Sequence, residues 1–310
     1  MRLGIRLGLA DPASAGLPLA GEAIRLYGVG AATGGPALDE KPRRKTILMC
    51  PPDHFGVAYV INPWMEGQTA RTDPTEARKQ WLGLKALIEP LAEIAVMAPQ
   101  PALPDLVFTA NAGFPIGRQV VVSRFRCPER RGEEPFFRAF FTERGFDLID
   151  PPDELHFEGA GDALHDAARD LIWVGHGFRS HEDIAPFLEA RFAKRAISLA
   201  LADPRFYHLD TCLCPLPDGY LMYFAGAFDA ASRARIEAIV PEGKRICVEA
   251  ADAETFCCNA VALDRKVILN QASHALQERL REAGLTPALT PLSQFIKAGG
   301  AAKCLTLELQ

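Results

Sequence analysis

Four stretches of the chain repeat one pattern of polar and apolar positions: a short strand-like run, a polar or glycine-containing turn, and a second, strongly apolar run. They are "NAGFPIGRQVVVS", "GDALHDAARDLIWVG", "LCPLPDGYLMYF" and "NAVALDRKVILNQ", and each reads as a β-hairpin. The second strands begin at Val120, Leu171, Tyr220 and Val267, so the copies stand 51, 49 and 47 residues apart. A spacing this regular marks an internal repeat. Amphipathic helical stretches follow: "EPFFRAFFTERG" from Glu134, "SHEDIAPFLEARFA" from Ser180, "DAASRARIEAIV" from Asp229 and "SHALQERLREAGL" from Ser273. Ser180 with Asp183 has the cap-and-acid spacing of a helix start, and Gly284 sits where a helix should stop. A short strand comes after each helix, as in "FDLIDPP" and "RAISLA". The unit is therefore strand, strand, helix, strand.

An earlier unit fits before these four, with "KTILMCPP" from Lys45, a helix over "TEARKQWLGLKALIEPLAEI" and a strand at "AVMAP". The alternating run from Cys304 to Leu309 is available to complete it. The expected fold class is α/β: five ββαβ units with pseudo-fivefold symmetry, closing into a ring around a central channel into which turn residues of every unit point. Residues 45–310 form one such domain. Residues 1–44, rich in Gly, Ala and Pro without periodicity, read as a flexible N-terminal extension.

At 310 residues, 48% of them apolar, with a net charge of −5, the chain suits a soluble globular protein with a large core. The basic cluster "KPRRK" at Lys41 to Lys45 is too short for a nucleic-acid footprint. No apolar run approaches the ~20 residues of a membrane span, and "MRLGIRLGLADPASAG" has too brief an apolar region for a signal peptide. The expectation is a cytoplasmic protein with a small-molecule partner, no nucleic-acid or membrane partner, and room for a homo-oligomer. The eight cysteines read as reduced thiols. Cys212 and Cys214, and the adjacent Cys257 and Cys258, lack the spacing of zinc ligands, so no metal is expected.

The chemistry concentrates where the first hairpin strands begin. Asn111 lies in "VFTANAGF", Glu158 and Asp162 in "HFEGAGDAL", His208 and Asp210 in "FYHLDTCL", and Cys304 in "GGAAKCLTLEL". A cysteine, a histidine and carboxylates supply a thiolate nucleophile, a proton shuttle and a charge-binding group. Each alone is an ordinary turn or core residue, but the repeat brings all of them to one pocket. Gly299 and Gly300 are expected to clear space for a substrate beside the thiol.

From about Lys45 to Leu309 these motifs resemble the guanidino-group modifying enzymes of the pentein fold, which include arginine deiminase, dimethylarginine dimethylaminohydrolase, arginine:glycine amidinotransferase and arginine dihydrolases. The resemblance implies that Cys304 attacks the guanidinium carbon, that His208 protonates the departing nitrogen, that Glu158 holds the histidine, and that Asp210 binds guanidinium nitrogens. Asn111 departs from the aspartate of deiminases and dimethylargininases. With Asn62 in "VAYVINPWM" it points to the arginine dihydrolase subgroup, which takes arginine to ornithine, ammonia and carbon dioxide.

A soft thiolate suits the poorly electrophilic guanidinium carbon, a bound cation lowers the thiol's pKa, and no cofactor is needed. Among Arg124, Arg126 and Arg130 in "SRFRCPER", an arginine is expected to bind the substrate carboxylate; Arg124 and Arg130 are the candidates, and the resemblance favours Arg130. Asp162 is a candidate for the amino group or a turn cap, and Trp64 a candidate pocket wall. Dimethylargininase, amidinotransferase and a non-enzymatic binding protein are the alternatives.

Overall fold

Pro74 opens the first long helix because Asp73 caps it, accepting hydrogen bonds from the Thr75 and Glu76 amides. In the computed structural model, which describes residues 44–309, the N-terminal extension expected over residues 1–44 lies, Arg44 apart, outside the described residues. The first unit comprises β1 (Thr46–Met49), α1 (Pro74–Ile88) and β2 (Glu93–Val96). The helix ends sooner than its sequence pattern because Pro90 offers no N–H to continue the ladder. The second unit is β3 (Gly113–Ile116), β4 (Gln119–Val122), α2 (Glu134–Glu143) and β5 (Asp147–Ile149). The third is β6 (Ala163–Asp166), β7 (Leu171–His176), α3 (Ile184–Phe192) and β8 (Arg195–Ala200).

The fourth is β9 (Leu213–Pro215), β10 (Leu221–Tyr223), α4 (Ala230–Ile239) and β11 (Arg245–Cys247). The short helix α5 (Ala250–Ala253) leads to the fifth unit, β12 (Val261–Leu263), β13 (Lys266–Leu269), α6 (His274–Glu282) and β14 (Thr286–Leu289). The turn of helix α7 (Ser293–Ile296) precedes β15 (Leu307–Leu309). Asp229 and Ser273, the first residues of the expected helical stretches, cap α4 and α6.

Five three-stranded sheets result, all with one topology. In each, the middle strand pairs antiparallel with an inner strand and parallel with the strand after the helix. The first sheet completes the pattern through β15, which pairs antiparallel with β1 in the register Thr46 to Leu309. The inner strands β3, β6, β9, β12 and β15 all line a single cavity of about 140 Å³, so the five sheets stand around a common axis. Their apolar faces and helices build the core, with Trp173, Tyr223, Phe125 and Phe206 fully buried. Among the described residues no helix is long and apolar enough to cross a membrane, and no group of three or more His, Cys, Asp or Glu is placed to hold a metal ion.

One helix start differs from its sequence reading. Ser180 does not cap α3, which begins at Ile184 with no side-chain cap. Its hydroxyl donates to Asp162 Oδ2 at 2.7 Å and accepts from the Glu158 amide at 3.1 Å. A buried carboxylate competes better for that hydroxyl than exposed helix amides do, because inside the protein an unpaired polar group is costly.

Candidate active site

The site is built from the residues that lead into the inner strands. Asn111 stands two positions before β3, Asp162 one before β6, Asp210 three before β9, Asn259 two before β12 and Cys304 three before β15. Single 3-10 turns carry Asn111 (Thr109–Ala112) and Asp210 (Leu209–Thr211) and lie between Glu158 and Asp162 (Gly159–Gly161). These turns reverse the backbone and aim their side chains at the axis. At Gly161 the approach is so close that a Cβ would sit 2.3 Å from Asn111 Nδ2. Cys304 precedes its strand rather than opening it, since pairing begins only at Leu307.

The Cys304 sulfur is buried. It accepts a hydrogen bond from Asn259 Nδ2 at 3.1 Å and donates to Asp210 Oδ2 at 3.4 Å. Burial and the Asp210 charge push the thiol well above its ordinary pKa, with the Ala301 amide and Asn259 opposing them, so the resting group is a thiol. Burial also raises the Asp210 carboxyl to about 7, against the pull of Lys303 and the hydrogen bonds from Cys304 and Asn259.

His208 and Glu158 form the second cluster, with His208 Nε2 2.7 Å from Glu158 Oε2. The same oxygen accepts from Arg179 Nη1 at 3.1 Å. Burial alone would raise the Glu158 pKa, but Arg179, the His208 hydrogen bond and Arg130 outweigh it and hold the carboxyl well below the usual range. Glu158 is thus an anion at any working pH, suited to hold and orient an imidazole.

The third cluster surrounds Asn111. Its Nδ2 donates to the Glu158 carbonyl at 2.9 Å, and its Oδ1 accepts from Arg130 Nη1 at 2.9 Å. Arg130 also donates through Nε and Nη2 to both oxygens of Glu133, at 2.9 and 2.8 Å. Tyr59 donates to Asp105 Oδ2 at 2.9 Å, while Asp105 Oδ1 is buried with no hydrogen-bond partner. A cavity of only about 10 Å³ lies among Asn62, Asp105, Asn111, Arg130, Arg179, Tyr207 and Cys304. Behind the cavity lining, Glu158 contacts Arg179 and in turn holds His208, and Asp210 contacts Cys304.

The structure therefore brings together Cys304, His208, Glu158, Asp210, Asn111 and Arg130. Five other candidates make contacts different from those expected of them. Arg124, beyond the end of β4, is half-buried and away from the cavity, ion-paired at 2.8 Å with the exposed Asp153. Asp162 accepts from Ser180 and from the Leu209 amide at 3.0 Å, so it braces the His208 backbone instead of facing a ligand. Asn62 reaches the cavity, but its oxygen accepts from the Trp64 amide and its nitrogen donates to the Ala298 carbonyl. That pins the turn Pro63–Met65 over the cavity. Trp64 packs on Phe256 and donates to the Arg205 carbonyl, so it forms no cavity wall. Arg126 donates to the Gly177 and Phe178 carbonyls. Gly299, at φ +83°, makes room for the protein itself: a Cβ there would lie 2.8 Å from the Tyr207 hydroxyl and 2.9 Å from Asn62 Oδ1.

Sequence reasoning missed Arg179, Asp105 and Asn259. Arg179 is buried and its guanidinium lies 4.7 Å from the Tyr207 ring centroid; nothing in "GFRSHED" separates it from a surface arginine. Asp105 carried no signal beyond its turn. Asn259 was legible, since it precedes its inner strand by the same two residues as Asn111.

Comparison with known proteins bears on this geometry. A family model described as N,N dimethylarginine dimethylhydrolase, eukaryotic, matches residues 72–310. The bifunctional arginine dihydrolase/ornithine cyclodeaminase ArgZ of Synechocystis sp. is 51% identical over 263 residues, which is 85% of this chain but 37% of that protein. The chain thus spans well under half the length of this relative. The N(G),N(G)-dimethylarginine dimethylaminohydrolase of Mycobacterium tuberculosis is 39% identical over 285 residues, 91% of each chain. A crystal structure of the N-terminal domain of ArgZ, a Cys-to-Ser mutant bound to substrate, superposes with a TM-score of 0.85 at 50% identity, covering 86% of this chain and 98% of that one.

Proposed function

Since this chain belongs to the N,N-dimethylarginine dimethylhydrolase family, within the pentein superfamily, we propose that it is an amidinohydrolase acting as an arginine dihydrolase. The observation that carries this reading is the placement of the Cys304 thiol and the neutral Asn111 amide on one buried cavity. The identity to the arginine dihydrolase ArgZ supports it.

In this reading the guanidinium of arginine lies against Cys304 and Asp210. Its positive charge favours both the thiolate and the Asp210 carboxylate, reversing what burial does to them in the free enzyme. The sulfur attacks the guanidinium carbon and forms a tetrahedral adduct. His208, held by Glu158, gives its proton to the departing nitrogen, and ammonia leaves a thiouronium-like adduct. His208 then takes a proton from water, which attacks the carbon and frees the sulfur. The product carries a neutral ureido group. The uncharged Asn111 amide retains it for a second hydrolysis, so arginine and two waters become ornithine, two ammonia and carbon dioxide. At the other end of the ligand, the cations Arg130 and Arg179 suit the α-carboxylate, and the unpartnered Asp105 Oδ1 suits the ammonium.

The dimethylargininase reading keeps a specific support, the M. tuberculosis relative that matches over 91% of both chains. Mass spectrometry of products from arginine and from dimethylarginine decides between them. The expected result is ornithine from arginine without accumulating citrulline, and a shift towards citrulline in Asn111→Asp, whose anion repels electron-rich ureido oxygen. Release of citrulline alone by the native protein, or activity only on the dimethylated form, would overturn the dihydrolase reading.

A further inference from the structure

Asn259 is fully buried, and its amide uses its whole hydrogen-bonding capacity. Oδ1 accepts from the backbone amides of Ala301 at 3.0 Å and Cys304 at 3.1 Å. Nδ2 donates to the Asp210 carbonyl at 3.1 Å and to the Cys304 sulfur at 3.1 Å. A primary amide offers two donors and two acceptor lone pairs. Three of these bonds clamp the turn before Cys304 onto the segment that carries Asp210. The fourth goes to the sulfur itself.

We propose that Asn259 is a catalytic residue, the neutral donor that stabilises the Cys304 sulfur as a thiolate and fixes its direction of attack; this rests on the cysteine chemistry proposed above. The sulfur's other close partner, Asp210, accepts the S–H hydrogen bond and, as an anion, offers the thiolate no stabilisation. Lys303, the cation whose field reaches Asp210, turns its ammonium towards the Thr306 carbonyl at 3.4 Å and lines the axial cavity. A cationic donor on the sulfur would repel the guanidinium and compete for Asp210. An amide stabilises sulfur without doing either. Asn259 and Asn111 occupy the same position before their inner strands, so the repeat supplies one amide to the nucleophile and one to the substrate.

The test compares Asn259→Ser with the native protein. Alkylation of the Cys304 peptide by iodoacetamide, followed across pH by mass spectrometry without substrate, reads the thiolate directly. The midpoint should rise by about one pH unit, the usual scale for losing a hydrogen bond to a charged group. Turnover of arginine should fall by about tenfold or more, with KM within about threefold. Asn259→Asp keeps an oxygen for the Ala301 and Cys304 amides and loses the donor, so it gives the same reading if the serine variant does not fold; its midpoint should rise at least as far. A folded variant with an unchanged alkylation midpoint and unchanged turnover would reduce Asn259 to a structural clamp and overturn the proposal. Because iodoacetamide needs no guanidino substrate, a protein that proves not to hydrolyse arginine would fail the functional reading while leaving the alkylation result to stand or fall alone.

Discussion

Asp210 is the residue at which stability and chemistry pull apart. Burial raises its carboxyl from 3.8 to about 7, so the folded protein holds that proton more tightly than the unfolded chain. The group's contribution to stability is therefore complete below about pH 4 and is lost as pH rises towards 7. Asp210→Asn removes this penalty. The variant should melt higher than the native protein at pH 8, by an amount on the order of a few kcal/mol, with little difference at pH 4, and it should be inactive. Native kcat/KM should fall on the acid side with an apparent midpoint near 7, since that ratio reports the free enzyme. Thermal melts at the two pH values, with no stabilisation at pH 8, would remove Asp210 as the strained anion. The sequence displayed Cys304, His208, Glu158, Asp210 and Asn111 because each lies in the short segment that leads into an inner strand. It hid Arg179 and misassigned Arg124 for one reason: an arginine's burial depends on what packs over it from distant segments, and no local pattern records that.

Among the elements, the turn Pro63–Met65 behaves unlike its neighbours. It belongs to no sheet, is exposed at Pro63 and at Val60 beside it, and is held on the cavity by the two Asn62 hydrogen bonds. A cavity of about 10 Å³ has room for about one water, so in the proposed reading the amino-acid substrate is expected to enter as this turn lifts. Asn62→Ala should loosen it. Hydrogen exchange of the amides of residues 61–66 should quicken without substrate, and KM should rise several-fold while kcat changes little. Unchanged exchange with a raised KM would return Asn62 to direct contact with the ligand. Hairpins, helices and their order were legible from periodicity and turn chemistry. The start of α3 was not, because Ser180 had two competing partners and only the folded protein brings Asp162 within its reach.

For the whole molecule, the first sheet is assembled from both ends of the domain, with β15 inserted as its inner strand. A stop codon after Thr306 leaves Cys304 in the chain but removes that strand. The truncated protein should be inactive and largely insoluble, or melt well below the native form. Full activity in the soluble fraction would show that the β1–β15 pairing is dispensable. The same pairing also sets an order of events. Thr46 waits for Leu309 across more than 260 residues, a contact of very high sequence separation, which slows folding. Until then β1 presents a bare edge, and a second copy's Leu307–Leu309 carries the same sequence that fills it. Exchange of this strand between copies at high expression is therefore expected to compete with closure within one chain. Yield should thus be governed by concentration during folding rather than by the stability of the finished fold.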